Sequence, residues 1–316
     1  LALPQNRVFL FFAVSKAYYD VVLARQLVTV SEEAAASAAG HLADVQRKKQ
    51  QGMASEFDLL RAEVELANAG AELVRQKNAL NLARTTLFNL LGVSQESNVT
   101  LTDEPVYEET TSGVAEAAKV AFTNRPDLVQ AELVVRLQCE ALRSARSSGW
   151  PQADAFFSFN QSRPDSLTIG SNDWGDSWAA GVKVSFSLFD GFIRHGKVKE
   201  ATAGLKQAEI QLAAAEDQAL LEVKQALLNL QDAEEMVKSH KATLQQAREG
   251  LRMAESGYNA GMLTALQVTD ARTALTRVRA FHYQAVYALA LSRLNLRLAT
   301  GSIDSTVTGI PKEEAK

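Results

Sequence analysis

The chain contains itself twice, at a constant offset of 209 positions. Gly52-Met53 recurs as Gly261-Met262, Ala62 as Ala271, Leu66 as Leu275, Leu80 as Leu289, Leu87 as Leu296 and Gly92 as Gly301. Upstream, Val14 and Ala17 recur as Val223 and Ala226, and Ala38 and Leu42 as Ala247 and Leu251. No gap interrupts the match between Val14 and Gly92. A repeat of this length predicts one structural unit built twice, here helix, glycine-centred turn, helix. A tandem pair of long helical hairpins suits a wall better than a catalytic pocket.

The helices are readable from their apolar rhythm. In the first copy Val28, Ser31, Ala35, Ala38, Leu42 and Val45 go out, and Leu59, Ala62, Leu66, Ala69, Leu73, Gln76, Leu80, Ala83 and Leu87 come back. In the second, Val237, His240, Leu244, Ala247, Leu251, Ala254 and Tyr258 go out, and Val268, Ala271, Leu275, Val278, His282, Ala285, Leu289, Ser292 and Leu296 return. Spacings alternating between three and four make a heptad seam and a left-handed supercoil. The returning helix of the first copy carries a second stripe, Leu60, Val64, Ala67, Ala71 and Val74, so it expects neighbours on both sides, as in a bundle or a closed ring of helices. No proline falls between Gly191 and Asn259; one helix there would run about 100 Å and make the molecule elongated.

Between the hairpins the texture changes. Val93 to Gly113 is polar and reads as loop; Val114 to Phe122 reads as a short helix; Asn124-Arg125-Pro126-Asp127 opens another with proline in its first turn, running to about Ser147. Then Ala153, Ala155, Phe157 and Phe159 alternate with polar or mixed neighbours, and Trp178, Ala180, Val182, Val184, Phe186 and Leu188 alternate more cleanly. Period two over about eleven residues fits a transmembrane β-strand, apolar to lipid and polar to a lumen, with Trp150, Trp174 and Trp178 placed for an interfacial belt. It also fits a half-buried hairpin packed on a helix. If the strands do meet lipid, one hairpin leaves open edges that hydrocarbon does not tolerate. The repeat places a matching strand about thirty positions upstream of residue 1, so a first hairpin and roughly eighteen residues of the first long helix are expected there. Four strands are still fewer than the roughly eight of the smallest barrels, and several chains are expected to contribute.

These elements together resemble the TolC family of outer-membrane efflux and secretion channels. The resemblance rests on the tandem hairpins with Gly-Met turns, Asn-Arg-Pro-Asp-Leu at 124–128, Ala145-Arg146 leading to Pro151 before a strand, and Leu188-Phe189-Asp190-Gly191 at a strand-to-helix junction. It implies a mainly α protomer with β-hairpins, assembled as a homotrimer with a twelve-stranded outer-membrane barrel and a periplasmic α-barrel. It also implies that the tube meets an inner-membrane pump through a periplasmic adaptor protein. On that pattern the chain divides into a first helical hairpin (1–92), a loop with a short helix (93–124), a helix (125–149), a transmembrane β-hairpin (150–190), a second helical hairpin (191–300) and a tail (301–316). The implied cellular location is the outer membrane of a Gram-negative-type bacterium, extending into the periplasm.

The resemblance also nominates site residues. The turns would form the periplasmic tips, with Gly52, Met53, Gly261 and Met262 contacting the adaptor. Acidic rings are expected past the tip glycine of the second repeat; here those positions hold Gln267 and Asp270, with Asp58 at the corresponding place in the first repeat. Tyr258 matches a tip tyrosine that links helices in a closed entrance, whereas Leu263 replaces the basic residue expected two positions past the glycine. Three Asp270 carboxylates would attract cations; singly, each is also an ordinary solvated helix residue. Arg47, Lys48 and Lys49 read first as a solvated helix face.

Other chemistry has little support. A net charge of −4 and a pI near 5.7 lack the basic face of a nucleic-acid binder. The histidines, His41, His195, His240 and His282, show no metal-ligand spacing, Cys139 is alone, and no phosphate loop or nucleophile motif occurs. No cofactor and no enzymatic activity are expected. The competing reading is a periplasmic adaptor or structural coiled-coil protein without a pore, which normally has one hairpin interrupting a small β-domain rather than two flanking an amphipathic β-segment.

Overall fold

Four glycines with left-handed backbone mark the ends of the helical hairpins. Gly52 and Gly261 have φ of 74° and 73°, and Gly92 and Gly301 have φ of 66° and 68°. In this computed structural model, which describes residues 2–94, 113–163, 172 and 174–303, the elements are α1 (Ala2–Gln50), α2 (Glu56–Leu91), α3 (Val114–Asn124), α4 (Pro126–Ser147), β1 (Gln152–Ser162), β2 (Gly175–Ser185), α5 (Ile193–Asn259) and α6 (Ala265–Ala299). Most of the polar stretch expected as loop after Val93, and the tail beyond Ile303, lie outside the described residues.

The repeat is reproduced at the level of single hydrogen bonds. At the first turn the Gly52 amide donates to the Lys49 carbonyl and Met53 to Lys48; at the second, Gly261 donates to Tyr258 and Met262 to Gly257. The far ends match too: Gly92 donates to Asn89 and Val93 to Phe88, as Gly301 does to Leu298 and Ser302 to Arg297. Each pair is the six-to-one and five-to-two bonding that closes a helix on a left-handed residue, which glycine adopts without a Cβ penalty. Every partner is displaced by the same 209 positions.

The chain forms two compact units, Leu1–Pro126 with Asp217–Lys316, and Asp127–Glu216. In the first, α1 packs on α2 and on α6. One core joins Ala17 and Val21 of α1 to Leu87 and Phe88 of α2. A second joins Val223, Ala226, Leu230 and Ala233 of α5 to Leu289 and Leu296 of α6, with Ala117 and Ala121 of α3 on top. The two hairpins are linked by the Tyr287 hydroxyl, which donates to Asp20 at 2.5 Å, and by an Arg279–Glu33 ion pair. The expected seam is the packed one: Val28, Ser31, Ala38 and Val45 are buried, as are Ala62, Leu87, Val268, Leu275, Ala285, Leu289 and Leu296. The second stripe of α2 is open, with Leu60, Val64 and Val74 all more than half exposed.

The Asn-Arg-Pro-Asp motif has a role that its helix-start reading does not include. Pro126 opens α4 and holds Arg125 extended. The Arg125 guanidinium then reaches Glu222 of α5 at 2.6 Å and the Ala299 carbonyl at the end of α6 at 3.3 Å. Directly beside this knot, a Cβ on Gly301 would come within 2.9 Å of the Asn124 backbone, whereas one on Gly92 would meet nothing within 4 Å.

In the second unit β1 and β2 pair antiparallel from Gln152 with Ser185 to Ser162 with Gly175. This corrects the expected strand limits. The second strand lies three residues earlier than the Trp178–Leu188 span, because Pro151 ends the first strand and leaves Phe186 to Leu188 without ladder partners. Ladder bonds are backbone bonds, so pairing runs on through polar Asn160, Gln161 and Ser162.

The two far-end glycines supply a matched test. Gly92→Ala should cost about 1–2 kcal/mol for left-handed strain alone, and Gly301→Ala distinctly more, since it adds a backbone clash. Thermal unfolding of the two variants side by side checks this; equal losses would mean that the Asn124 contact is easily relieved.

Candidate functional site

The nominated site residues all lie in the first compact unit, and the strand pair lies in the second. In the first unit, the returning helices open with capping boxes at repeat-related positions. Ser55 Oγ accepts from the Asp58 amide at 3.1 Å, and Asp58 Oδ2 accepts from the Ser55 amide at 3.0 Å. Thr264 Oγ1 accepts from the Gln267 amide at 3.4 Å, and Gln267 Oε1 accepts from the Thr264 amide at 2.9 Å. Both side chains thus satisfy amides that a helix start leaves open. The bonds from Ser55 hold the Asp58 carboxyl below its ordinary range. Asp270 differs: it is exposed, on the first turns of α6, with no hydrogen-bonding or ionic partner among the described residues. Met53 and Met262 are 75% and 77% exposed at the turns.

Tyr258 is not isolated. Lys48 Nζ lies 3.8 Å above its ring centre, a cation–π contact between the two outgoing helices. The basic run expected as a solvated face is therefore divided: Lys48 stacks on Tyr258, Arg47 pairs with Asp44, and Lys49 pairs with Glu56. Beneath Tyr258 is a cleft of about 450 Å³ between the hairpins, lined by His41, Lys48, Glu255, Tyr258 and Arg272 among others. Arg272 bonds Glu255 at 3.2 Å, while its Nε and Nη1 are buried without a partner among the described residues. His41 is buried, and desolvation is the main cause that lowers its pKa; Glu65 opposes the shift, and Arg272 reinforces it. Sequence reasoning missed this cluster because its members sit on three helices, and His41 is off the heptad seam.

In the second unit the register sorts the strand pair into two faces. Ala153 lies opposite Val184, Ala155 opposite Val182, Phe157 opposite Ala180 and Phe159 opposite Trp178. Residues directly opposite share a face, so this face is apolar over four successive rungs. It is also bare: Phe157, Trp178 and Val182 are 71%, 72% and 70% exposed. The other face pairs Asp154 with Lys183, Ser158 with Ala179 and Asn160 with Ser177. Its one aromatic, Phe156, lies across Gly181, where a Cβ would come within 3.1 Å of the ring.

Helices do not supply a membrane span: among the described residues none is long and apolar enough to cross a bilayer. Nor do the described residues contain a group of three or more His, Cys, Asp or Glu side chains able to hold a metal. The sequence model of the family described as outer membrane efflux protein matches residues 118–302. The chain belongs to that family. As a member of the outer membrane efflux proteins it is an outer-membrane protein. Among its relatives is the outer membrane protein TolC of Salmonella enteritidis, 22% identical over 92% of this chain and 60% of that protein. The chain thus spans 60% of the length of that relative. VceC of Vibrio cholerae shares the fold with a TM-score of 0.77 at 19% identity, covering 94% of this chain and 71% of that one. The CmeC outer membrane channel of Campylobacter jejuni does so with 0.78 at 16%, covering 95% and 64%.

Two pH effects follow. A carboxyl held below its unfolded pKa of about 3.9 contributes stability that is present above that value and lost as pH falls through the folded one. Asp58→Asn should remove this acid-sensitive contribution at the first turn, while Asp58→Ala should also lose the cap, about 1 kcal/mol. His41, with its folded pKa below about 6.5, contributes stability present above 6.5 and lost as pH falls through the folded value. Thermal unfolding between pH 7 and 5 should therefore decline in the parent and flatten in His41→Leu; an equal slope in both would exclude His41 as the source.

Proposed function

We propose that the chain forms wall segments of a homotrimeric outer-membrane channel, the passive exit duct of a tripartite efflux pump or of a type I secretion system. The observation that carries this is the strand pair, whose apolar face is continuous over four rungs and uncovered. Eleven-residue strands are the length that crosses a bilayer when tilted. A two-stranded sheet has two open edges, and hydrocarbon does not tolerate open edges, so closure requires further strands, among them strands from other copies. The open stripe Leu60, Val64 and Val74 on α2 supports the same reading, as a helix face left for a neighbouring copy in a ring of helices. The exposed turns around Gly52, Met53, Gly261 and Met262 are the proposed contacts for a periplasmic adaptor, which links the tube to an inner-membrane pump.

At the entrance, Asp270 is the proposed selectivity residue, and Tyr258, Gln267 and Asp58 are the further proposed constriction residues. Three unpartnered carboxylates on a narrow lumen add their fields, because low-dielectric walls focus them, and this favours cations. Asp58 and Gln267 are committed to helix caps, which leaves Asp270 the free charge. Asp270→Asn in the full-length natural protein should lower cation selectivity and weaken block by trivalent cations, with little effect on folding. Asp58→Asn should do less. Single-channel reversal potentials in a salt gradient decide it: unchanged selectivity in Asp270→Asn with a loss in Asp58→Asn would move the constriction to the first repeat.

A further inference from the structure

We infer that the foot of the strand pair is a binding site for the phosphate of a phospholipid in the leaflet on the helical side of the membrane. The inference rests on the membrane reading of the strand pair and goes beyond it to a specific headgroup contact. Its first support is the order of side chains along the chain. The apolar rungs of β1 and β2 end at Ala153 and Val184. Next come Trp150, Leu188, Phe189 and Phe192, each at least 74% exposed. Immediately past them is a cleft of about 350 Å³ lined by Arg146, Asp190, Phe192, Arg194, His195 and Val198. Apolar, then aromatic, then basic is the order of acyl chain, interface and phosphate in one leaflet.

The second support is the disposition of charge in that cleft. Asp190 is the one acidic residue lining it, and its two oxygens accept from the Phe192 amide at 3.1 Å and the Arg194 amide at 2.9 Å. The carboxylate is thereby occupied in turning the chain into α5. Neither the Arg146 nor the Arg194 guanidinium has an ion-pair partner among the described residues. Arg194 is held close, since a Cβ on Gly149 would come within 3.1 Å of its Nη1. Two guanidiniums converging on an open cleft present the forked donors that suit phosphate oxygens.

The third support is backbone strain. Phe192 has φ of 67° and is the one non-glycine residue with positive φ among those described. Left-handed backbone is costly for a residue with a Cβ, yet here it displays a ring that is 74% exposed and meets Phe189 edge-on. Burial in this unit does not explain the strain; an aromatic anchor at the interface, beside the basic cleft, does.

The test uses the full-length natural protein, purified in detergent supplemented with phosphatidylglycerol, with bound lipid counted by native mass spectrometry. Retention should fall in Arg146→Gln/Arg194→Gln by roughly fivefold per arginine and stay at parent level in Lys206→Gln. Equal retention in the double variant and the parent would overturn the proposal. Millimolar inorganic phosphate should leave the lipid bound; if it releases the lipid, the site is a simple anion site and the lipid assignment falls. A second measurement does not depend on the arginines. With every tryptophan other than Trp150 replaced by Phe, Trp150 should be quenched in vesicles of phosphatidylcholine brominated high on the acyl chain. If Trp150 escapes quenching while Trp178, alone in its own variant, is quenched, the collar faces protein: the proposal fails and the membrane reading stands. If neither is quenched, both fail.

Discussion

Close helix approach across alanine-rich seams is the interaction on which the remaining structure depends. Ala17, Ala24, Ala38, Ala62, Ala226, Ala233, Ala254, Ala285 and Ala299 are all buried, and a small side chain at a seam lets two backbones come near enough for the flanking valines and leucines to interlock. A 49-residue helix and a 67-residue helix gain little from their length alone, because helical stability in proteins comes chiefly from tertiary packing. Here that packing recurs every turn or so, and no large globular core is needed. The polar links between hairpins, such as Tyr287 to Asp20, add register to a contact whose energy comes from the seam. Enlarging a side chain at a seam of this kind would cost about 1–3 kcal/mol, since overpacking separates the backbones.

The fold was legible wherever it depended on local pattern. The turns at Gly52 and Gly261 and the helix limits near Ser147 and Asn259 follow from glycine, proline and heptad signals, and the faces of both strands follow from their alternation. Strand limits were less legible, because they depend on which residue lies opposite which, and Pro151 ends the second strand by acting on the first. The glycine pair at 92 and 301 shows the same division: the repeat reveals that both end a helix, but only the fold reveals that Asn124 crowds one of them.

The candidate sites divide along the same line. The apolar strand residues could be read from their alternation, and the Gly-Met turns from the repeat. The stacking of Lys48 on Tyr258, the burial of His41 near Glu65 and Arg272, and the Arg125 knot could not, because each joins positions far apart in sequence. Reading a basic run as a solvated face treats its members alike, whereas a helix turns each successive side chain by about 100°. Arg47, Lys48 and Lys49 consequently meet three different environments. Pattern identifies which face a residue occupies; it does not identify what arrives there from another helix.

The two capping boxes carry a consequence for how a duplicated protein can diverge. At the same backbone position one copy has Asp58 and the other Gln267, and both close the box with a carbonyl-type oxygen placed to accept an amide proton. Folding at this position therefore constrains an acceptor and leaves the charge unconstrained. Two segments descended from one unit can keep superimposable backbones while their electrostatic character drifts apart. In an assembly with each unit repeated around an axis, alternate staves can then differ in charge without any change of shape.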